Sequence, residues 1–163
     1  PPIVEVVILK YYKNIEMTTD NKLTQEQFGD INETSFYNIL KQNGIVNITQ
    51  TDKYSPYDFK IKLNNKIIYI ELKTRTINKE QYDTTILAKN KIDFFIDIPK
   101  RNKFFYAIFG FLNETKEMEY YYIKYDDNLF NSYEKQVIFN KEHFNIPIDD
   151  LTHISNLYHQ LGT

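Results

Sequence analysis

Apolar and polar positions along the chain predict helices and strands in alternation. From residue 24 onward the spacing is helical, with apolar side chains recurring at Phe28, Ile31, Phe36, Ile39 and Leu40. Thr24 is a suitable N-cap with Gln27 as its capping-box partner, and Asn43-Gly44 is a typical helix end. We therefore predict a helix between these signals, preceded by a β-rich segment at residues 3–9.

The segments after this helix have the period and composition of strands. Residues 57–63 and 66–73 predict two strands, and Asn64-Asn65 between them tolerates the positive φ of a tight hairpin turn. Further elements are predicted as a short strand at 45–49, a second helix from after Thr84 to about Ile96, a hairpin at 104–112 and 119–125, and a short helix toward His159. This order indicates an α/β or α+β fold.

Length and composition limit the number of domains, the metal ligands that are available and the expected cellular compartment. The 163 residues suit a single domain, with an expected core at about 24–125, an N-terminal extension at 1–23 and a C-terminal tail at 126–163. The chain has no cysteine, so a metal would be held by oxygen ligands or by histidine. No apolar run approaches the length of a bilayer span and no signal peptide is recognisable, so we expect an intracellular protein without a membrane partner.

Charge is distributed unevenly along the chain. The net charge of −2 gives no overall case for a nucleic-acid partner. Residues 60–103, however, carry eleven Lys and Arg against five Asp and Glu, whereas both flanking segments are acidic. This surplus surrounds an unusual triplet, Glu71-Leu72-Lys73, at the end of an apolar run. It indicates either a nucleic-acid surface or a solvated lysine face.

The predicted hairpin brings charged residues together. A two-residue turn at Asn64-Asn65 places Asp58 opposite Glu71, where directly paired Cβ atoms are about 5 Å apart and like charges repel. Strand alternation also puts Lys73 on the face of Glu71. Two carboxylates and a lysine are then suited to a hard cation such as Mg²⁺. An alternative is that Asp58 caps its turn and the other two form an exposed ion pair.

These residues resemble the PD-(D/E)XK nuclease superfamily. The resemblance spans about residues 24–96 and consists of Glu33 in the helix ETSFYNILKQNG, Asp58 in SPYDF, and the triplet Glu71-Leu72-Lys73. Proline stands two positions before Asp58 rather than one, a departure that carries no chemistry. The resemblance implies a restriction-endonuclease-like core, with a mixed central β-sheet flanked by helices.

The resemblance also implies a role for each residue. Asp58, Glu71 and the main-chain carbonyl of Leu72 would bind Mg²⁺, for which Mn²⁺ is a candidate substitute, and Glu33 would hold a second metal. Lys73 would orient the attacking water and stabilise developing charge. The implied activity is phosphodiester hydrolysis by a DNA endonuclease, resolvase-like or restriction-like. The alternative is a non-catalytic nucleic-acid-binding domain of a larger protein that uses the same fold.

Residues after the triplet are candidates for nucleic-acid contacts. They are Thr74, Arg75 and Lys79 directly past the site, and then Tyr82, Lys89 and Lys91, which are predicted on the second helix. A solvated helix face is the alternative for that second group. The expected partner is double-stranded or branched DNA. The aromatic strands after residue 104 read as core and as a surface for a homodimer.

Overall fold

The structure, a computed structural model, describes residues 23–161. The β-rich segment predicted at 3–9 lies outside these residues. The described helices are α1 (Gln25–Gln42), α2 (Lys89–Asp97), α3 (Asp127–Asn131) and α4 (Ser155–Leu161). The strands are β1 (Ile48–Gln50), β2 (Phe59–Leu63), β3 (Lys66–Thr74), β4 (Thr84–Ala88), β5 (Lys103–Leu112), β6 (Met118–Lys124), β7 (Lys135–Ile138), β8 (Lys141–Pro147) and β9 (Thr152–His153).

The strands form two sheets. A six-stranded sheet has the order β1-β2-β3-β5-β6-β9, and a three-stranded sheet has the order β4-β8-β7. Strands β3 and β5 are parallel, whereas all the other paired strands are antiparallel. The predicted fold class, an α+β fold with a mixed central sheet and flanking helices, is confirmed.

Helix α1 begins and ends at the signals read from the sequence. Thr24 accepts a hydrogen bond from the Gln27 amide and donates its own amide to the Gln27 side chain, which completes the capping box. Asn43 is the C-cap, and Gly44 has a φ of +87°, a conformation that glycine adopts without strain. The buried face of α1 includes Phe36 and Leu40, so this helix covers one face of the large sheet.

Apolar side chains form a core on each face of the six-stranded sheet. One core joins α1 and α4 to the sheet, and its buried members include Phe36, Ile70 and Leu157. The other joins α2 and the three-stranded sheet to the opposite face, through residues such as Ile92 and Phe144. Residues 126–161 therefore contribute to both cores. No helix within residues 23–161 has both the length and the apolar character needed to span a membrane.

Two predicted boundaries are corrected by the structure. Residues 84–88 were predicted as the start of the second helix, but they form strand β4, and α2 begins only at Lys89. The β-branched residues Thr84, Thr85 and Ile86 suit a strand, and β4 pairs along its whole length with β8, far away in sequence. The short strand predicted at 45–49 lies at Ile48–Gln50.

The β2–β3 hairpin has the predicted register, which fixes the faces of β3. Leu63 pairs with Lys66 and Ile61 with Ile68 across the turn, where Asn64 has a φ of +51°. Alternation along β3 turns Ile70 toward the α1 core and Tyr69 toward the α2 core. Glu71 therefore belongs to the face that α2 covers.

Candidate active site

Glu71 is a buried carboxylate near the carboxyl end of β3. Its residue surface is only 2% exposed. One carboxylate oxygen, Oε1, lies 3.1 Å from Lys73 Nζ and 3.3 Å from Lys91 Nζ. The other oxygen, Oε2, is also buried and has no hydrogen-bond partner among the described residues. Because a buried anionic oxygen without a partner is costly, this atom is suited to bind a cation.

Asp58 approaches Glu71 in a way that differs from the prediction. The ladder ends at the pair Phe59–Ile70, so Asp58 is not directly opposed to Glu71 within it. Its main-chain amide still donates to the Ile70 carbonyl of β3, while its main-chain carbonyl accepts a hydrogen bond from the Thr51 amide. Beyond this point the Asp58 side chain makes the contact with β3, because Asp58 Oδ2 accepts a 2.7 Å hydrogen bond from the Leu72 amide.

The Leu72 carbonyl opens to the same side as the Asp58 carboxylate. In an extended strand the N–H and C=O groups of one residue point to the same edge, and the Leu72 amide points to Asp58. Asp58, Glu71 and this carbonyl therefore present oxygen atoms at one end of β3. The sequence-predicted set of first ligands is brought together here.

The electrostatics of the two carboxylates reflect burial and, for Glu71, the charge of Asp58. Burial, aided by the charge of Asp58, raises the pKa of Glu71 to about 7, against the opposing effect of Lys73 and Lys91. Burial also raises the pKa of Asp58, although the Leu72 amide and both lysines oppose the change. Acids held in this way favour a bound cation, which would stabilise both ionised forms.

Glu33 lies on α1 beside this pair. Gln50 at the end of β1 donates a 2.9 Å hydrogen bond from Nε2 to Glu33 Oε1. Burial raises the pKa of Glu33, and the charges of Asp58 and Asp30 add to this effect. Gln50 was not predicted as a site residue, and nothing in the local sequence distinguishes it from an ordinary polar end of a strand.

An open cleft of about 380 Å³ lies over the site. Its lining includes Glu33, Asp58 and Lys73, together with residues from the first turns of α1. Thr74 and Arg75, both predicted to contact nucleic acid, also line it. Asp58 is therefore open to a substrate in this cleft, whereas Glu71 is buried and is not among the lining residues.

Arg75 and Lys79 follow the triplet but do not share one surface. The Arg75 guanidinium donates a 3.0 Å hydrogen bond to the Ile86 carbonyl, and this tie to β4 half-buries the side chain. Lys79 lines a second cleft, of about 250 Å³, where its Nζ lies 4.5 Å from the centre of the Tyr121 ring.

The residues predicted as nucleic-acid contacts on the second helix do not form one exposed row on that helix. Tyr82 precedes β4 rather than lying on the helix, and it is 60% exposed. Lys89 begins α2 and pairs with Asp93 one turn later. Lys91 is directed to Glu71 instead of to an open groove. The reason is helical geometry, because Lys91 precedes the buried Phe95 by four residues and so shares its inward side.

The residues present fit a hard divalent cation such as Mg²⁺. Within residues 23–161 no three His, Asp or Glu side chains are placed to hold a metal ion by themselves. Mg²⁺, however, is usually held by one or two carboxylates, with water and substrate phosphate completing its shell. The free Oε2 of Glu71, the carboxylate of Asp58 and the Leu72 carbonyl meet that requirement.

No protein-family model matches the chain, and no curated protein matches it in sequence. Among solved structures, that of D212, a nuclease from a fusselovirus, is similar to this chain. The TM-score is 0.47 at 17% sequence identity, and the match covers 87% of this chain and 95% of D212.

Proposed function

We propose that this protein is a Mg²⁺-dependent DNA endonuclease of the PD-(D/E)XK type, which hydrolyses phosphodiester bonds. The observation that supports this most is the state of Glu71. One of its oxygens is held by two lysines, while the other is buried, unpartnered and next to a second carboxylate. A buried oxygen of this kind is suited to bind a cation.

Each residue of the candidate site would have its own task in this reaction. A bound Mg²⁺ supplies Lewis-acid polarisation of the phosphate and lowers the pKa of water. Asp58, Glu71 and the Leu72 carbonyl would hold that ion. Lys73 lines the cleft, and its ammonium would orient the attacking water and stabilise charge that develops on the phosphate. Glu33, fixed by Gln50, would serve a second ion through water.

A cleavage assay tests this proposal. The protein is incubated with linear, circular, branched and single-stranded DNA in Mg²⁺, in Mn²⁺ and in EDTA. We expect cleavage with either metal and none in EDTA. Cleavage of circular DNA identifies an endonuclease, and a preference for branched over linear duplex separates a resolvase-like from a restriction-like enzyme.

Variants identify the residues responsible. Glu71→Ala and Lys73→Ala should each abolish cleavage while DNA binding persists, because affinity comes from many phosphate contacts. Lys62→Ala, an exposed lysine on β2 near the hairpin turn, is the control and should cleave normally. Full activity in Glu71→Ala would contradict the assignment. DNA binding by the wild-type protein without cleavage of any substrate would favour the non-catalytic binding domain.

A further inference from the structure

Lys91 connects the segments that carry the two acidic residues. Its Nζ donates a 2.9 Å hydrogen bond to the Pro56 carbonyl, two residues before Asp58, and lies 3.3 Å from Glu71 Oε1. The lysine itself belongs to α2, whose Ile92 and Phe95 are anchored in the core. One ammonium group therefore links the helix, the turn before Asp58 and the strand of Glu71.

The two lysines on Glu71 have different surroundings. Lys73 lines the cleft, and its side chain is 38% exposed. Lys91 is not among the residues that line the cleft, and its side chain is 22% exposed. Lys73 thus faces the substrate side of the carboxylate, whereas Lys91 holds it from the protein side.

We propose that Lys91 is a positioning residue that stays on Glu71 Oε1 and the Pro56 carbonyl, which leaves Oε2 for the cation and Lys73 for the substrate. The proposal rests on the nuclease function proposed above. If Lys73 alone held the Glu71 carboxylate, the ammonium group of Lys73 would be engaged there and could not act on the attacking water. With Lys91 in place, Lys73 can leave Oε1 without stranding a buried charge.

This role differs from a contact with DNA phosphate. A lysine that binds phosphate projects from the surface and keeps its donors free, and its loss weakens binding and lowers the salt dependence of affinity. Lys91 directs its ammonium to a main-chain carbonyl and a buried carboxylate. Its removal should therefore reduce turnover and leave substrate affinity unchanged.

The kinetic test compares Lys91→Met and Lys91→Arg with a control lysine on β5 that contacts the end of the same helix. Lys103 donates to the carbonyls of Phe95, Ile96 and Ile98 at the end of α2 and touches no residue of the site, so Lys103→Met removes only a structural anchor. For Lys91→Met we expect kcat for Mg²⁺-dependent cleavage to fall roughly 10–100-fold, the effect typical of groups that orient metal ligands. KM and the salt slope of DNA binding should not change, and Lys91→Arg should recover much of the loss.

A second measurement requires neither metal nor cleavage. Melting temperatures in EDTA are compared for Lys91→Met in the wild-type background and in Glu71→Gln. Breaking a buried ion pair should lower the melting temperature by on the order of 10 °C in the first background, and by clearly less in the second. Lys103→Met should lower the melting temperature by the same amount in both backgrounds, because Lys103 does not act through Glu71.

The possible outcomes separate this inference from the proposed function. A raised KM with unchanged kcat would make Lys91 a phosphate contact, and equal losses of stability in both backgrounds would reduce it to an anchor for the Pro56 carbonyl. Either result overturns the inference while the nuclease function stands. If the wild-type protein cleaves no substrate but the stability loss depends on Glu71, the nuclease function fails, and the link from Lys91 to Glu71 is upheld.

Discussion

Replacing Glu71 by glutamine should remove a pH dependence of stability that this one side chain imposes. Burial and the charge of Asp58 raise the pKa of Glu71 from its usual 4.5 to about 7. A carboxyl group with a higher pKa in the folded than in the unfolded chain binds its proton more tightly when folded. Its contribution to stability is therefore complete below pH 4.5 and is lost as the pH rises through about 7.

The size of the effect follows from the two pKa values. Their difference, from 4.5 to about 7, corresponds to about 3 kcal/mol of unfolding free energy. For a chain of this length that is roughly 6–12 °C in melting temperature. Glutamine keeps the shape of the side chain and stays neutral, so it resembles the protonated acid at every pH.

Thermal melts of wild type and Glu71→Gln in EDTA, from pH 4.5 to 8.5, measure this contribution. All other titrating groups are common to both proteins, so the difference between the two curves isolates Glu71. We expect the variant to match wild type at the acid end and to melt higher above pH 7. Glu117→Gln, at an exposed position before β6, is the control and should follow wild type throughout.

Melts of the same two proteins in Ca²⁺ test whether Glu71 is needed to bind a cation. A ligand that binds only the folded state stabilises it by RT ln(1 + [L]/Kd), so 10 mM Ca²⁺ at pH 8 should raise the melting temperature of wild type and leave Glu71→Gln unchanged. Parallel pH curves for the two proteins in EDTA would refute the reasoning, because they would mean that Glu71 has the same pKa folded and unfolded. The reasoning would also be refuted if the melting temperature of wild type rose relative to that of the variant with increasing pH.

Two further predictions concern the neighbours of Glu71 and the path of the nucleic acid. Asp58→Asn can keep the hydrogen bond from the Leu72 amide and loses the repulsion from Glu71, so stability in EDTA should rise by about 0.2–1 kcal/mol while stabilisation by Ca²⁺ disappears. A lower melting temperature in EDTA with the Ca²⁺ response retained would contradict it. Lys79→Gln should lower the slope of log K against log salt by about one unit if DNA passes the second cleft, and an unchanged slope would place Lys79 outside that path.

The parts of the fold that were predictable depend on residues close together in sequence. The capping box at Thr24 and Gln27 and the turn at Asn64-Asn65 are local signals, and the structure contains both. Strand alternation alone predicts that Lys73 shares the face of Glu71, and the two side chains form an ion pair. The central triplet could therefore be located without knowledge of the whole fold.

Features that depend on distant segments were not predictable in the same way. Strand β4 exists because β8 pairs with it, and the partner residues are separated by more than fifty positions. Gln50 reaches Glu33 only because β1 and α1 pack at the same end of the sheet. Lys91 is an intermediate case, since its spacing of four residues before Phe95 already placed it toward the core.

The structure changes the interpretation of the excess of basic residues at positions 60–103. Part of it is paired within the protein, with Lys73 and Lys91 on Glu71 and Lys103 on the end of α2. Arg75 likewise donates to the Ile86 carbonyl.

The cleft over the site is consequently acidic rather than basic. Its lining has four acids, Glu26, Asp30, Glu33 and Asp58, against Lys73 and Arg75. A phosphate backbone entering it would be repelled unless a divalent cation neutralised part of that charge. If the protein acts on DNA as proposed, a cation would have to bind before the nucleic acid or with it, and the attraction for DNA would have to come from lysines outside the cleft.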